Sequence, residues 1–178
     1  YPQAAELSSK KDVYFIMAES LRHDMASPEY MKGLMDYVAK KDCLVSDHHY
    51  SGGHTTEYGV FTALYGLYGL HYNDFMKGAL PSYGLTTLKE NGYQLRAGTA
   101  SQLSSWMGAG FMFKTFDQYV EFKTETVAQD DRRMVDWAIQ EVGIKRDSPQ
   151  FLFMFFNSTH HGYHYPNEFA RPQPPLEE

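Results

Sequence analysis

The chain has 178 residues, of which 43% are hydrophobic and 16% aromatic, so it is long and apolar enough to form a domain with a substantial core. A formal charge of −6, without a dense cluster of Lys or Arg, argues against a nucleic-acid binder. The single cysteine, Cys43, excludes an internal disulfide and a cysteine-based zinc cluster. No apolar run is long enough to span a membrane and no signal peptide is recognisable, so we expect this segment itself to be soluble.

The first quarter of the chain predicts an arm, two strands and one helix. Residues 1–11 are polar and weakly patterned, which is typical of a linker or arm. The apolar run from Asp12 to Ala18 predicts a strand that is buried on both faces. Ser27-Pro28-Glu29 is a helix-start signal, and we expect a helix to about Lys40 whose inward residues are Tyr30, Leu34, Tyr37 and Val38. Cys43 to Ser46 predicts a short second strand.

The remaining pattern alternates strands with helices. A helix is expected directly after Thr55, and further helices over Leu85 to Asn91 and Thr124 to Ile144. The last of these has an apolar stripe of Val127, Met134, Val135, Ala138, Ile139 and Val142. Strands are expected over Tyr93 to Gly98, Phe116 to Phe122 and Phe151 to Phe156, and an irregular tail over Arg171 to Glu178. This order predicts an α/β fold with a mostly parallel central sheet flanked by helices.

The stretch Ser51-Gly52-Gly53-His54-Thr55-Thr56, followed by the apolar run Val60 to Leu67, is the most informative segment. Adjacent glycines let the backbone turn sharply and approach a ligand closely. The two threonines come where a helix begins, and the free N–H groups and positive dipole end there favour an anion. This arrangement suits a nucleophile that attacks a phosphate or sulfate. The alternative is that Thr55 or Thr56 only caps a core helix.

Polar clusters follow predicted strands at Glu19 to Asp24, Asp47 to Thr56 and Asn157 to His164. Ligands of open α/β sheets bind at the carboxyl ends of the strands, so this coincidence predicts an active site. Glu19 ends a buried strand, where a carboxylate is costly unless it is paired or binds a metal. The alternative for Glu19 is an ordinary surface acid.

The histidines divide into stronger and weaker candidates. His160 and His161 follow a predicted strand, and would bind a metal or a substrate oxyanion. Their alternative is a polar loop packed by Tyr163 and Tyr165. The weaker candidates are His48 and His49, and His71 is expected to be structural or exposed.

Three motifs together resemble the sulfatase-like branch of the alkaline phosphatase superfamily: Val13 to Arg22, Ser51 to Leu67, and Phe155 to His161. The similarity covers about residues 12–166. It is strongest to membrane-anchored bacterial members, namely lipoteichoic acid synthases, phosphoglycerol transferases and inner-membrane sulfatase-like proteins. The resemblance implies an alkaline-phosphatase-like fold at the extracytoplasmic face of a bacterial inner membrane. It also implies that residues 12–178 are the N-terminal part of a catalytic domain that is truncated here.

The resemblance also implies roles for individual residues. Glu19 would be a metal ligand and Thr55 the metal-bound catalytic nucleophile. The divalent ion, Mn²⁺, Mg²⁺ or Zn²⁺, would be completed by ligands outside this chain. His160 is favoured over His161 for substrate contact because it directly follows Asn157-Ser158-Thr159. The substrate-binding set is then expected to be His160, His161, Trp106 and Thr56.

One departure from the family pattern bears on the chemistry. Sulfatases proper carry their nucleophile in a Cys/Ser-x-Pro-x-Arg motif, in which the Cys or Ser is converted to formylglycine. Thr55 stands in that place here, with no proline or arginine in the motif positions, and Cys43 lies outside it. The resemblance therefore points to threonine-based phosphoryl chemistry and away from sulfate-ester hydrolysis.

The resulting hypothesis is a metal-dependent phosphoryl or phosphoglycerol transferase, or a phosphoester hydrolase, with a threonine nucleophile. Its substrate would carry phosphate or sulfate, on a lipid head group or an envelope polymer. The alternative is a catalytically silent sulfatase-like domain that recognises lipid head groups or protein partners. Self-association is expected if part of the sheet is left bare.

Overall fold

The structure is a computed structural model that describes residues 4–46 and 48–162. Its sheet is formed by β1 (Val13–Ala18), β2 (Gln94–Thr99), β3 (Gln118–Glu121) and β4 (Gln150–Phe156). In the described residues these are four parallel strands in the order β1-β4-β2-β3. The predicted α/β class with a parallel sheet is therefore confirmed.

Helices flank this sheet. The described residues form α1 (Lys32–Lys40), α2 (Thr56–Tyr65), α3 (Tyr72–Gly78), α4 (Tyr83–Glu90) and α5 (Val127–Gly143). Side-chain caps begin two of them, because Ser82 accepts from the Leu85 amide in α4 and Thr126 accepts from the Gln129 amide in α5. None of the helices that the structure describes is both long and apolar enough to cross a membrane.

The central strand β4 divides the core into two layers. Successive side chains of a strand point to opposite faces, and both faces of β4 are covered. One face packs against α2 and α4 through Phe151, Phe153 and Phe155. The other packs against α5 through Leu152 and Met154, which meet Met134 and Ala138. Burying side chains of this size contributes roughly 1.5–3 kcal/mol each, which fixes α2 and α5 on opposite sides of the sheet.

The prediction that β1 is buried on both faces was wrong. β1 is the edge strand, and its Tyr14 and Ile16 side chains are 44% and 61% exposed. Phe15 and Met17, on the other face, pack against the core. The apolar run was sufficient to form a strand, but in the described residues no layer covers the Ile16 face.

Further corrections concern the segment between β1 and α2. The predicted strand at Cys43 to Ser46 does not form, and Leu44 is fully exposed. Helix α1 begins at Lys32, after the proline signal, and has no buried residue. Of its expected inward residues, Leu34 and Tyr37 are exposed and Val38 is half-buried. Hydrophobic periodicity identifies a possible inward face but does not provide the surface that would cover it.

Candidate functional site

The carboxyl ends of β1 and β4 bring Glu19 beside the loop that carries His160. The Glu19 amide donates to the Phe156 carbonyl at 2.9 Å and extends the pairing of the two strands. The Thr159 hydroxyl then donates to the Glu19 carbonyl. The His160 amide closes the turn by donating to the Asn157 carbonyl at 3.0 Å. Two of the predicted polar clusters therefore meet at one edge of the sheet.

The Glu19 side chain is half-buried at this edge. One of its carboxylate oxygens accepts a hydrogen bond from the Ser20 hydroxyl at 2.9 Å. Ser20 has a φ of 52°, which is uncommon for a residue other than glycine. Such backbone conformations cost of order 1–3 kcal/mol and cluster at functional sites.

Asp131 of α5 binds the loop of His160 through hydrogen bonds to its backbone. Its buried carboxylate accepts hydrogen bonds from the amides of Asn157 and Ser158, both at 2.9 Å. Sequence reasoning missed this residue, although one signal was present. Asp131 lies four residues after Val127 and three before Met134, so it falls on the predicted inward stripe, where a carboxylate needs a partner.

We expect Asp131→Ala to lower the free energy of unfolding by roughly 1–3 kcal/mol, because it leaves two half-buried amides without their acceptor. Hydrogen exchange at the Asn157 and Ser158 amides should accelerate in the same variant. The matched control is Asp136→Ala on the same helix, which removes only an exposed ion pair with Arg132 and should cost about 0.5 kcal/mol or less. Urea denaturation and hydrogen exchange measure both effects. Equal losses in the two variants would contradict the role of Asp131.

Thr55 occupies the N-cap position of α2, where a residue that only caps the helix would lie. Its side chain, however, makes no capping hydrogen bond. Its backbone is extended and its carbonyl accepts from the Gly59 amide at 2.9 Å. The residue is exposed, whereas Thr56 after it is half-buried. The Thr55 hydroxyl therefore stands at a helix N-terminus without being used to cap it.

The first turn of α2 lies beside the end of β1. A Cβ atom placed on Gly59 would be 3.6 Å from Ser51 Oγ and 3.8 Å from Met17 Cε. Thr55 is one turn before Gly59, and Glu19 is two residues after Met17. The short distance between Gly59 and the Met17 side chain therefore places the start of α2 and the end of β1 in the same part of the fold.

The glycine pair lets the loop before α2 pack closely against that helix. A Cβ on Gly52 would lie 2.2 Å from Thr62 Cγ2, and one on Gly53 would lie 2.2 Å from Tyr58 Cβ. These distances are far shorter than a van der Waals contact, so no larger residue fits. These two glycines are therefore required for the close packing of the loop on α2, and their predicted approach to a ligand stays a prediction.

The other candidates lie at the surface. Trp106 is 56% exposed, and its indole Nε1 donates to Glu57 Oε2 at 3.3 Å, so it adjoins the first turn of α2. Exposed histidines are His160, His161, His48 and His49, whereas His71 is half-buried. Several residues of the sequence interpretation lie outside the described residues, namely Asp47, Tyr163, His164, Tyr165 and Arg171 to Glu178.

The oxygen groups of Glu19 and Thr55 have the chemistry of hard-metal ligands. Carboxylate and hydroxyl oxygens, as Glu19 and Thr55 would provide, are hard ligands of the kind that Mg²⁺ and Mn²⁺ prefer. Within residues 4–46 and 48–162, no three side chains of His, Cys, Asp or Glu come together to hold an ion. The described residues therefore do not form a complete metal site by themselves.

The parallel sheet, with helices on both faces and polar groups at its carboxyl edge, is typical of an α/β protein with a ligand site at that edge. Its fold is similar to that of a protein in the alkaline phosphatase superfamily from Vibrio parahaemolyticus, with a TM-score of 0.68 and 19% sequence identity. The match covers 96% of this chain and 46% of that one, so the chain spans about half the length of the structure that it matches. No curated protein matches the chain significantly in sequence.

A sequence comparison assigns the family. The model of the sulfatase family matches residues 11–178, and the chain belongs to the sulfatase family. The resemblance of the three sequence motifs to the sulfatase-like branch of the alkaline phosphatase superfamily is therefore confirmed.

Proposed function

We propose that this chain carries the nucleophile of a metal-dependent phosphoryl or phosphoglycerol transferase, or of a phosphoester hydrolase, and that the nucleophile is Thr55. The observation that carries the proposal is the exposed Thr55 hydroxyl at the N-cap of α2, which makes no capping bond. Membership of the sulfatase family supports chemistry on phosphate or sulfate esters. A threonine in the nucleophile position favours phosphate over sulfate.

The reaction would proceed in two displacements. In the first, Thr55 Oγ forms a bond to phosphorus, the bond from phosphorus to the leaving alcohol breaks, and the threonine proton passes to the leaving oxygen. In the second, water or an acceptor alcohol displaces Thr55 and restores its hydroxyl. The free amides and positive dipole end of α2 stabilise the charge on the phosphoryl oxygens in both displacements.

Glu19 and Thr55 would hold one divalent ion, with its other ligands from outside the described residues. When bound, the ion would increase the reactivity of an otherwise weak hydroxyl nucleophile and polarise the phosphoryl oxygen. The hydrogen bonds that join Glu19 to the loop of His160 are made by its backbone amide and carbonyl. They hold the residue at the sheet edge and do not involve its carboxylate. Mn²⁺ and Mg²⁺ suit these oxygen ligands, and additional histidine ligands would favour Zn²⁺.

Substrate contacts are proposed for the remaining candidates around this edge, Thr56, Trp106, His160 and His161. The substrate would be a phosphate ester on a lipid head group or an envelope polymer, at the extracytoplasmic face of a bacterial inner membrane. Residues 12–178 would then belong to the catalytic domain and residues 1–11 to an arm.

A comparison of esters tests the proposal. The full-length protein, supplied with Mn²⁺, is assayed on p-nitrophenyl phosphate, bis(p-nitrophenyl) phosphate and p-nitrophenyl sulfate, and again after EDTA treatment. We expect turnover of a phosphate ester that EDTA abolishes, with the sulfate ester inert. Preferred turnover of the sulfate ester, or turnover that survives EDTA, would contradict the proposal. No turnover of any ester, together with binding of glycerol phosphate by calorimetry, would favour the silent binding domain instead.

A further inference from the structure

Glu57 is a buried carboxylate for which the proposed reaction has no task. It lies in the first turn of α2, two residues after Thr55, and is only 6% exposed. A carboxylate buried to this degree is costly unless it is hydrogen-bonded. Glu57 Oε2 accepts a bond from the Trp106 indole, whose ring is otherwise half in solvent. The contact joins the helix of the proposed nucleophile to the proposed substrate tryptophan.

The backbone that carries Trp106 is held by two hydrogen bonds in which Glu57 is neither donor nor acceptor. Before the tryptophan, the Ser104 amide donates to Glu121 Oε1 at 2.7 Å. After it, the Met107 carbonyl accepts from the Tyr72 hydroxyl at 2.9 Å. Both hydrogen bonds can still form when Glu57 is replaced, so the replacement is expected to affect mainly the orientation of the indole.

Both anchoring side chains keep the protonation state that their hydrogen bonds need. Burial would raise the pKa of Glu121, but the hydrogen bonds from Tyr119 and the Ser104 amide outweigh it and hold that pKa below its usual value. Burial, assisted by the negative charge of Glu57, raises the pKa of Tyr72 to about 12. Glu121 therefore stays an acceptor and Tyr72 stays a donor across the neutral range.

We propose that Glu57 is a positioning residue that orients the Trp106 indole against the first turn of α2, so that the ring forms a wall of the substrate pocket beside Thr55. This inference rests on the proposed function, because it assigns the pocket to that site. The ring face would pack on the carbon part of the substrate, the alcohol or glycerol that the phosphate esterifies. The effect of Glu57 would then appear in substrate binding more than in the chemical step.

A purely structural role for Glu57 is the competing explanation. An acid in the first turn of a helix interacts favourably with the helix dipole through its charge. Glu57→Gln removes that charge but keeps an oxygen that accepts from the indole, whereas Glu57→Leu removes both. The dipole explanation predicts that the two variants behave alike, and the positioning role predicts that only Glu57→Leu disturbs Trp106.

The experiment measures acrylamide quenching of tryptophan emission, together with kcat and KM, in the full-length protein. We expect Glu57→Leu to increase the quenching and to raise KM by about tenfold, as the loss of a hydrogen bond to a charged group would, with kcat changed by about twofold or less. Glu57→Gln should stay close to the parent in both readouts. In a Trp106→Phe background, Glu57→Leu should change neither quenching nor KM.

Unchanged quenching and KM in Glu57→Leu would overturn the inference, and so would the same changes in the Trp106→Phe background. If circular dichroism shows that Glu57→Leu is unfolded, Glu57→Asp takes its place, because the shorter side chain withdraws the oxygen from the indole and must give the same increase in quenching. The quenching readout does not depend on turnover. It therefore separates failure of this inference from failure of the proposed function, which the Thr55 variant decides.

Discussion

Thr55→Ala is expected to lower turnover of a phosphate ester by roughly 10³-fold or more, because it removes the atom that forms the covalent bond. The fold should be unaffected. An N-cap threonine normally contributes about 1 kcal/mol through its side chain, but the Thr55 side chain makes no capping bond. Steady-state kinetics and thermal unfolding of the full-length protein measure the two effects separately.

Thr56→Ala is the matched control for this prediction. It removes the neighbouring hydroxyl in the same turn, and we expect it to weaken substrate binding while keeping turnover measurable. The reverse result, with Thr56→Ala inactive and Thr55→Ala active, would transfer the nucleophile to Thr56. Activity in both variants would exclude a threonine nucleophile in this turn.

Glu19→Gln is expected to remove most of the bound divalent ion and, with it, the turnover. Glutamine keeps the size of the side chain and an oxygen for the hydrogen bond from Ser20, but it lacks the charge that attracts the cation. Metal content after dialysis, measured by inductively coupled plasma mass spectrometry, reads out binding independently of activity. Exposed Glu90 at the end of α4 provides the control, and Glu90→Gln should keep the metal of the parent protein. Parent metal content in Glu19→Gln would assign Glu19 to the ordinary surface acids.

The strands and helices that sequence reasoning located correctly are those with a strong local signal. The run from Phe151 to Phe156 is apolar throughout because both of its faces are covered, and it forms the central strand β4. The start of α2 after Thr55 follows from a glycine pair, two hydroxyls and a run of helix formers. Helix α3 was missed because it is short and has no side-chain cap.

Burial was harder to predict than element type. The residues Ile16, Leu34 and Val45 are apolar, and the sequence gives no indication that they are exposed. Whether an apolar face is covered depends on which elements pack on it, and that is a property of the complete tertiary arrangement. For this reason the strand at β1 was predicted correctly while the covering of its outer face was not.

The candidate site shows the same division between local and distant signals. Glu19, Thr55 and His160 stand at the ends or starts of predicted elements, so their positions followed from the order of strands and helices. The roles of the supporting carboxylates could not be predicted in this way, because their partners are remote in sequence. Asp131 meets amides 26 and 27 residues away, and Glu57 meets an indole 49 residues away. A carboxylate on an otherwise apolar face predicts that a partner exists but does not identify it.

Covalent labelling of Thr55 tests the central claim most directly. The full-length protein is mixed with a phosphate ester that it turns over, quenched in acid, digested and analysed by tandem mass spectrometry. We predict a phosphoryl or phosphoglyceryl group on Thr55 that accumulates during turnover and is absent when EDTA is present. Turnover without any adduct on Thr55, or with an adduct on another residue, would contradict the assignment of Thr55 as the nucleophile.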